Sequence, residues 1–210
     1  MPILIRRISM GKWKDYCLKV ADSQSLVKRF LKYPQYNAPA DAITNCLKTY
    51  NNQLSMWLLP DEESLNEVLL ALCTGTKANS PSSIEYVRID TKELEAVGLT
   101  FAPSKDDADT AIPELKELHY DVSGFNYNTL GFFQDLIVKR IRRKETNRKI
   151  ASELKPLVLD AIRKNRIDYA SLSDDYKRFL KESFPDETGI PDLPSDSIVC
   201  PNCGSEISVA

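Results

Sequence analysis

The fold is decided by residues 53–75, which read Q-L-S-M-W-L-L-P-D-E-E-S-L-N-E-V-L-L-A-L-C-T-G. The first part alternates, so that apolar residues fall on both faces of an extended chain: Leu54, Met56 and Leu58 on one, Trp57 and Leu59 on the other. Apolar residues on both faces are typical of a strand that is covered on both sides. We therefore predict a central strand from Gln53 to Leu59, ended by Pro60.

A helix is predicted directly after this strand, from Asp61 to Thr74. Asp61 is a suitable N-cap, and the acids that follow it lie where the helix dipole favours negative charge. Apolar residues then recur at helical spacing: Leu65, Val68, Leu69, Leu72 and Cys73. We expect the face formed by Leu65, Leu69 and Leu72 to pack onto the strand that contains Met56 and Trp57 and to form the main core.

Further strands and helices are predicted on either side of this unit. An opening strand contains Ile3 to Ile8, a second follows at Ile84 to Ile89, and Leu99 to Phe101 indicates a third. Between the last two, Thr91 caps a short helix that Gly98 ends in the left-handed conformation. Short helices are also predicted around Leu26 to Leu31 and from Pro39 to Leu47, before the central strand.

The predicted fold class is α/β or α+β, with a small mixed sheet, flanking helices and a helical C-terminal region. Strands alternating with helices favour right-handed crossovers and an α/β layer, while the short connections leave α+β open. The expected organisation is a body at residues 1–125, a basic helical region packed on it at 126–184, and an acidic linker with a C-terminal Cys-x-x-Cys tail at 185–210.

The basic region is predicted to form two helices or one broken helix between residues 126 and 166. Asn126 or Asn128 is a suitable N-cap, and two apolar stripes at helical spacing follow. Pro156 lies inside the second stripe, where proline removes a backbone donor and clashes with the preceding turn. We expect either a bend at Pro156 or a helix that begins near Lys155.

Positive charge is concentrated in the same region. Residues 139–166 hold eleven Lys or Arg and three acids, a net charge of +8 in a chain of net charge −2. Such helices can bind phosphates, although an acidic body could equally be complemented by a basic face. The residues predicted to contact an anionic partner are Arg140, Arg142, Arg143, Lys144, Arg148, Lys149, Arg163 and Lys164.

Composition places the chain among ordinary globular proteins. The chain has 210 residues, of which 42% are hydrophobic and 28% charged. No apolar run approaches the roughly 20 residues that span a bilayer, and the start of the sequence lacks the charge order of a signal peptide. We therefore expect a soluble cytoplasmic protein without a membrane partner. Five scattered cysteines do not suggest a disulfide framework, and Cys46 and Cys73 are expected in the core.

The C-terminal motif Cys200-Pro-Asn-Cys203-Gly resembles one knuckle of a zinc ribbon. In such a knuckle a tight turn brings two thiolates to one metal ion. Zinc at Cys200 and Cys203 is the predicted cofactor, and a tail that holds no metal is the alternative. A closed site needs two further ligands. They would come from Cys17, Cys46, Cys73 or His119, or from the same pair in a second chain, which would make a homodimer.

A different class of function rests on the acidic loop that precedes the basic region. His119 is the only histidine, and Asp121 lies two residues after it. Asp106, Asp107 and Asp109 could hold a hard cation such as magnesium. This pattern is compatible with a metal-dependent hydrolase or nuclease, but it is incomplete, and no catalytic residue is assigned from it.

Three functions are therefore carried forward. The first is a non-enzymatic adaptor or regulatory protein that binds a macromolecular partner. The second is a nucleic-acid-binding protein that uses the basic helices at residues 139–166. The third is the metal-dependent hydrolase at residues 106–121. Nucleic-acid binding predicts an uncovered basic face, whereas simple compensation predicts cations paired with the acidic body.

Overall fold

Six strands form the central sheet of the protein in a computed structural model that describes residues 3–8, 52–78, 80–187 and 190 and the backbone of 197–199 and 206–208. The strands are β1 (Ile3–Arg7), β2 (Leu54–Leu59), β3 (Ile84–Asp90), β4 (Thr100–Pro103), β5 (His119–Ser123) and β6 (Thr146–Lys149). Their order in the sheet is β4-β5-β2-β1-β3-β6, and every pairing is antiparallel.

Five α-helices lie in the described part of the chain. They are α1 (Leu65–Cys73), α2 (Thr91–Ala96), α3 (Tyr127–Arg142), α4 (Ala151–Arg163) and α5 (Asp174–Ser183). Short 3₁₀ segments occupy Lys105–Asp107, Pro113–Leu118 and Tyr169–Ser171. Across the described residues, each helix is too short or too polar to cross a membrane. The helices predicted around Leu26 and Leu47 lie outside the described residues, as do Cys17, Cys46, Cys200 and Cys203.

Each face of the sheet is covered by its own apolar core. On the first face, Trp57 and Leu59 of β2 pack with α1, α4 and α5, whose buried residues include Leu69 and Leu154. On the second face, the alternate residues of the strands, such as Met56, pack with α2 and α3. The prediction that β2 is buried on both faces is confirmed, because Leu54, Met56, Trp57 and Leu59 are each at most 5% exposed.

The fold class is α+β, the second of the two predicted alternatives. Strands β2 and β3 are joined through α1 and run parallel to one another, since both pair antiparallel with β1. A strand from the start of the chain therefore lies between the two strands of what would otherwise be an α/β crossover. The flanking helices and the helical C-terminal region are as predicted, and the sheet is antiparallel throughout.

Helix α1 begins later than predicted. Its first helical residue is Leu65, with Ser64 at the N-cap position. The Asp61 carboxylate accepts hydrogen bonds from the backbone N–H and hydroxyl of Ser64, at 2.8 and 2.7 Å, and so closes the turn before the helix. Leu69 is fully buried against the first face, as expected. Met56, which was expected to face this helix, packs in the core of the second face.

Helix α4 begins at Ala151 and contains Pro156 in its second turn, so its start is not near Lys155. The Glu153 carboxylate accepts a hydrogen bond of 2.9 Å from the N–H of Ile150, which satisfies one of the free donors at the helix start. A proline here costs a single helical hydrogen bond. The apolar stripe that contains Leu154 and Val158 is fully buried, and this packing holds the helix together in spite of that loss.

Candidate functional site

The basic segment of the sequence is divided between the two sides of the sheet. Helix α3 covers the second face and α4 covers the first, and the edge strand β6 connects them. Cations that are neighbours in the sequence therefore point to different sides of the molecule. Arg148 lies on the same face of the sheet as α3, whereas Lys149, the next residue, pairs with Glu153 of α4 at 3.2 Å.

The end of α3 is built by a tight left-handed turn. The N–H of Glu145 donates to the carbonyl oxygen of Arg140 at 2.8 Å, and the N–H of Lys144 to that of Ile141 at 3.1 Å. This is the Schellman arrangement, in which the residue after the C-cap has positive φ. Lys144 occupies that position with φ 60°, where glycine would be unstrained. The turn directs three consecutive basic residues, 142–144, outward.

Four of the eight predicted contact residues are paired with acids. Arg140 forms ion pairs with Glu93 and Glu145 and donates to the carbonyl oxygen of Arg88 at 3.1 Å. The other three pairs join Lys149 to Glu153, Arg163 to Glu187 at 2.6 Å and Lys164 to Asp160 at 2.7 Å. Ion pairs on the surface add little stability, but they cancel charge. These four residues are therefore weaker candidates for an anionic partner.

Arg166 shows how the acidic body compensates part of the basic segment. Its guanidinium group contacts Glu67 of α1 at 2.5 Å and Glu114 at 2.6 Å. The hydrogen bond with Glu67 is the main cause that raises the pKa of Arg166. Partial burial acts to raise the pKa of Glu114, but the hydrogen bond from Arg166, with smaller contributions, lowers it overall. This residue joins three elements of the first face and is structural.

The remaining cations form one exposed group. Within the described residues no ion pair involves them, and every one is solvent-exposed. They lie at the end of α3, in the turn after it and on β6, on the side of the sheet that α3 covers. We call this group the basic surface: Lys139, Arg142, Arg143, Lys144 and Arg148. Lys139 was counted in the basic segment but was not among the residues predicted to make contact.

Structural reasons explain part of this concentration of charge. Cations in the last turn of a helix interact favourably with its dipole, by about 0.3–1 kcal/mol each. Lys139 and Arg142 are in that position in α3. Lys144 and Arg148 lie beyond the helix, however, and Lys144 adopts a conformation that disfavours lysine. The dipole therefore does not account for the whole basic surface.

A small cleft of about 400 Å³ lies beside the basic surface. It is lined by charged and polar groups, among them Lys144, Arg88, Asp90 and Asn147. Arg140 also lines it, already held by its two acids. The cleft lies between the turn after α3 and β3, and Lys144 of the basic surface is one of its lining residues.

The acidic loop and His119 are brought together in part. His119, Asp107 and Asp109 line one cleft, and Asp106 is not among its lining residues. Asp121 accepts a hydrogen bond of 3.2 Å from the Ser55 hydroxyl. Throughout the described ranges, no group of three or more His, Cys, Asp or Glu side chains lies close enough to hold a metal ion. The aspartates thus give no support to the magnesium site expected here.

Cys73 is unsuited to bind metal. It is 3% exposed, and burial raises the pKa of its thiol to about 12. Metal ions bind the thiolate, so a thiol that stays protonated is a poor ligand. Its Sγ lies 3.4 Å from the carbonyl oxygen of Leu70, as expected of a core cysteine. Of the candidates for the missing zinc ligands, the structure thus disfavours Cys73.

The C-terminal strands suit the expected zinc knuckle. Strand β7 (Ser197–Val199) pairs antiparallel with β8 (Glu206–Ser208), and Val199 lies opposite Glu206. Cys200 and Cys203 belong to the residues that connect these strands and lie outside the described part. A strand rather than a helix follows Cys203, whereas redox cysteine pairs open a helix that stabilises the thiolate. Zinc binding remains a prediction.

Elemental analysis of protein purified without chelators tests the zinc prediction. If two copies share one Cys₄ site, zinc is expected at about 0.5 per chain, together with a dimer that chelator dissociates. Replacing both Cys200 and Cys203 with serine should remove the metal. A content below about 0.2 per chain that this double replacement leaves unchanged would contradict the prediction.

Comparisons of this chain with protein-family models, with curated proteins and with solved structures give no match.

Proposed function

We propose that the protein acts by binding a macromolecular partner, as a non-enzymatic adaptor or regulatory protein, and that the partner is a nucleic acid held at the basic surface. The observation that carries the proposal is the exposure of five cations without a carboxylate partner among the described residues. The nearest acid in the turn, Glu145, is already taken by Arg140. Anionic groups of a partner would supply the missing counter-charges.

The dimensions of α3 support an extended chain of phosphates as the ligand. A helix rises about 1.5 Å per residue, so Lys139 and Arg143 are separated by about 6 Å along the axis. This separation is close to the spacing of successive phosphates along a nucleic-acid strand. Arg148 on β6 adds a further cation on the face of the sheet that α3 covers. Each neutralised phosphate releases counterions, which makes the affinity depend on salt.

An exposed aromatic residue favours a single strand over a duplex. Phe132 is 53% exposed and lies on α3, seven residues before Lys139, which places the two side chains on the same side of the helix. Bases of a single strand can stack on such a ring, and proteins that bind single strands combine stacking with cations. Among the described residues, Phe132 and Ile150 are the large apolar residues with the greatest exposure.

The test of this proposal is fluorescence anisotropy of labelled single-stranded DNA and RNA and of duplex DNA, at several salt concentrations. Single strands should bind at least as tightly as the duplex, with an affinity that falls steeply as salt rises. If wild-type protein shows no salt-sensitive retention of any of these, the nucleic acid is the wrong partner. An acidic protein would then be the class to search.

A substitution at Lys144 is expected to separate stability from binding. Glycine relieves the left-handed strain at this position, so Lys144→Gly should stabilise the fold by about 0.5–1 kcal/mol, or about 1–4 °C in Tm. The same change removes one phosphate contact, so the salt slope of binding should become shallower by about 0.7. Calorimetry and anisotropy measure the two effects.

The matched control for Lys144→Gly is Asn165→Gly. Asn165 has φ 59° and ends α4 with the same arrangement of hydrogen bonds, from Asn165 to Ile162 and from Arg166 to Ala161. It is not part of the basic surface, so this change should leave binding unaffected. Because asparagine tolerates the left-handed region well, the gain in stability should be smaller than at Lys144. Equal losses of binding in both variants would contradict the assignment.

A further inference from the structure

A second cleft lies at the end of the sheet where β1 ends, next to Arg7. It is larger than the cleft beside the basic surface. Its volume is about 650 Å³, within the usual range for sites that bind small molecules. The residues that matter here are contributed by β1, β5, the segment after α1 and the acidic loop: Arg7, His119, Lys77, Asp107 and Asp109. No member of the basic surface lines this cleft.

His119 is held in one orientation in the wall of this cleft. The residue is 2% exposed, and its Nδ1 lies 2.6 Å from the carbonyl oxygen of Ser104. A carbonyl oxygen only accepts, so Nδ1 must carry the proton. The ring meets the Trp57 ring edge-on, with centroids 5.2 Å apart and an interplanar angle of 73°. In the neutral ring, Nε2 is therefore the acceptor, fixed in place for a hydroxyl or amine donor.

Two of the cations that line the cleft have no acid partner in the described part of the chain, whereas its two aspartates accept hydrogen bonds. Within the described residues, neither Arg7 nor Lys77 pairs with a carboxylate, and Arg7 Nη2 donates only to the Ser82 hydroxyl, at 3.1 Å. Asp109 accepts from both the N–H and the hydroxyl of Thr76, each at 2.7 Å.

Asp107 is engaged in the same way, because it accepts a hydrogen bond of 2.9 Å from the Ser104 hydroxyl. Both aspartates thus stabilise the walls of the cleft through local hydrogen bonds. Arg6 and Glu85 also line the cleft, and each already has an interaction of its own. Arg7 and Lys77 are the charged groups left to meet a ligand, so an anion fits better than a cation.

We propose that this cleft binds a small organic phosphate. Arg7 and Lys77 hold the phosphate group, whose two negative charges match the two cations. His119 Nε2 accepts a hydrogen bond from a hydroxyl group of the same ligand. Arginine provides hydrogen-bond donors in a fixed planar arrangement, and lysine provides a charge on a flexible side chain. This combination suits a phosphate that enters an open cleft. The proposal is independent of nucleic-acid binding at the basic surface.

The single histidine makes the test direct. The chain contains one histidine, so the imidazole signals in a long-range ¹H–¹⁵N spectrum belong to His119 and need no separate assignment. Without ligand, the neutral ring should be the tautomer protonated on Nδ1. At constant pH, added glycerol 3-phosphate should shift the Nε2 resonance and saturate. Inorganic phosphate should bind more weakly, because it lacks the hydroxyl group placed next to Nε2, and glycerol should cause no shift.

Two variants and one control decide whether the cleft is the site. Arg7→Gln and Lys77→Gln each remove a charge-assisted hydrogen bond and should weaken glycerol 3-phosphate binding about tenfold or more. Arg178→Gln, which removes an exposed charge paired with Asp175, should bind like wild type.

Lys77 is exposed and lies outside the sheet, so its replacement should preserve the fold even if Arg7→Gln does not. A shift that fails to saturate, or that persists unchanged in Lys77→Gln, would overturn the proposal.

Discussion

Replacing Arg142, Arg143 and Lys144 together with alanine should abolish the binding of any nucleic acid that wild-type protein retains at physiological salt. Five phosphate contacts on a single strand predict that the affinity of wild type falls about 100-fold between about 50 and 200 mM salt. The triple variant keeps two contacts, so the same change in salt should lower its affinity only about sevenfold. Anisotropy titrations of both proteins measure the two slopes.

The matched control removes three other cations, Arg163, Lys164 and Arg178. It changes the net charge by the same amount, but in wild type each of these residues is paired with an acid: Glu187, Asp160 and Asp175 respectively. Binding in this control should stay close to that of wild type. If both triple variants lose affinity equally, net charge rather than the basic surface governs binding, and the assignment of the site is wrong.

Leu69→Ala should destabilise the protein by about 2–5 kcal/mol, the range for truncation of a buried leucine. Leu69 has no exposed surface and packs among Trp57, Leu59 and the buried residues of α4 and α5. Helix α1 packs both on β2 and against α4, so the cavity cannot close without moving one of them. Chemical denaturation should show the loss as a lower midpoint at unchanged slope.

Phe132→Ala is the control for this measurement. The ring of Phe132 is 53% exposed, so its truncation removes little buried area and should change stability by no more than about 0.5 kcal/mol. An unchanged midpoint in Leu69→Ala, or equal losses in the two variants, would mean that the core of the first face is not where the structure places it.

The elements that the sequence predicts well are those whose burial follows a simple period. Strand β2 alternates between two apolar faces, and α1 has a continuous apolar stripe, so both were found, with an error of a few residues at the start of α1. Asp61 and Ser64 are both good caps, and only the three-dimensional turn shows that Ser64 begins the helix. Local pattern fixes the type of an element more firmly than its ends.

Strands β5 and β6 could not be predicted, because polar residues occupy positions where the pattern of a strand requires apolar ones. In β5, His119 and Asp121 point to a buried face, at 2% and 8% exposure, where apolar residues would be expected. Strand β6 (Thr146–Lys149) has no apolar residue and lies at the edge of the sheet. Its position is set by the turn after α3 and by pairing with β3, neither of which leaves a periodic pattern.

The candidate site was predictable as a region but not residue by residue. Local sequence shows that cations are dense between residues 139 and 166, but it cannot show which of them meet acids. The partner of Arg166, Glu67, lies 99 residues away in the sequence, and Arg140 meets Glu93 across 47 residues. The order of the strands and helices determines which cations lie next to an acid. Only the folded structure therefore distinguishes the paired cations from those of the basic surface.

The central position of β1 has a consequence for how the chain is synthesised. Ile5 is fully buried between partners that lie 52 and 83 residues further along, Trp57 and Arg88. At a ribosomal rate of about 5–20 residues per second, this strand would wait roughly 4–17 seconds for its second neighbour. Until then at least one edge of this apolar strand is open and available to aggregation or to a chaperone. Folding of the nascent chain should therefore begin only after residue 90 has left the ribosome.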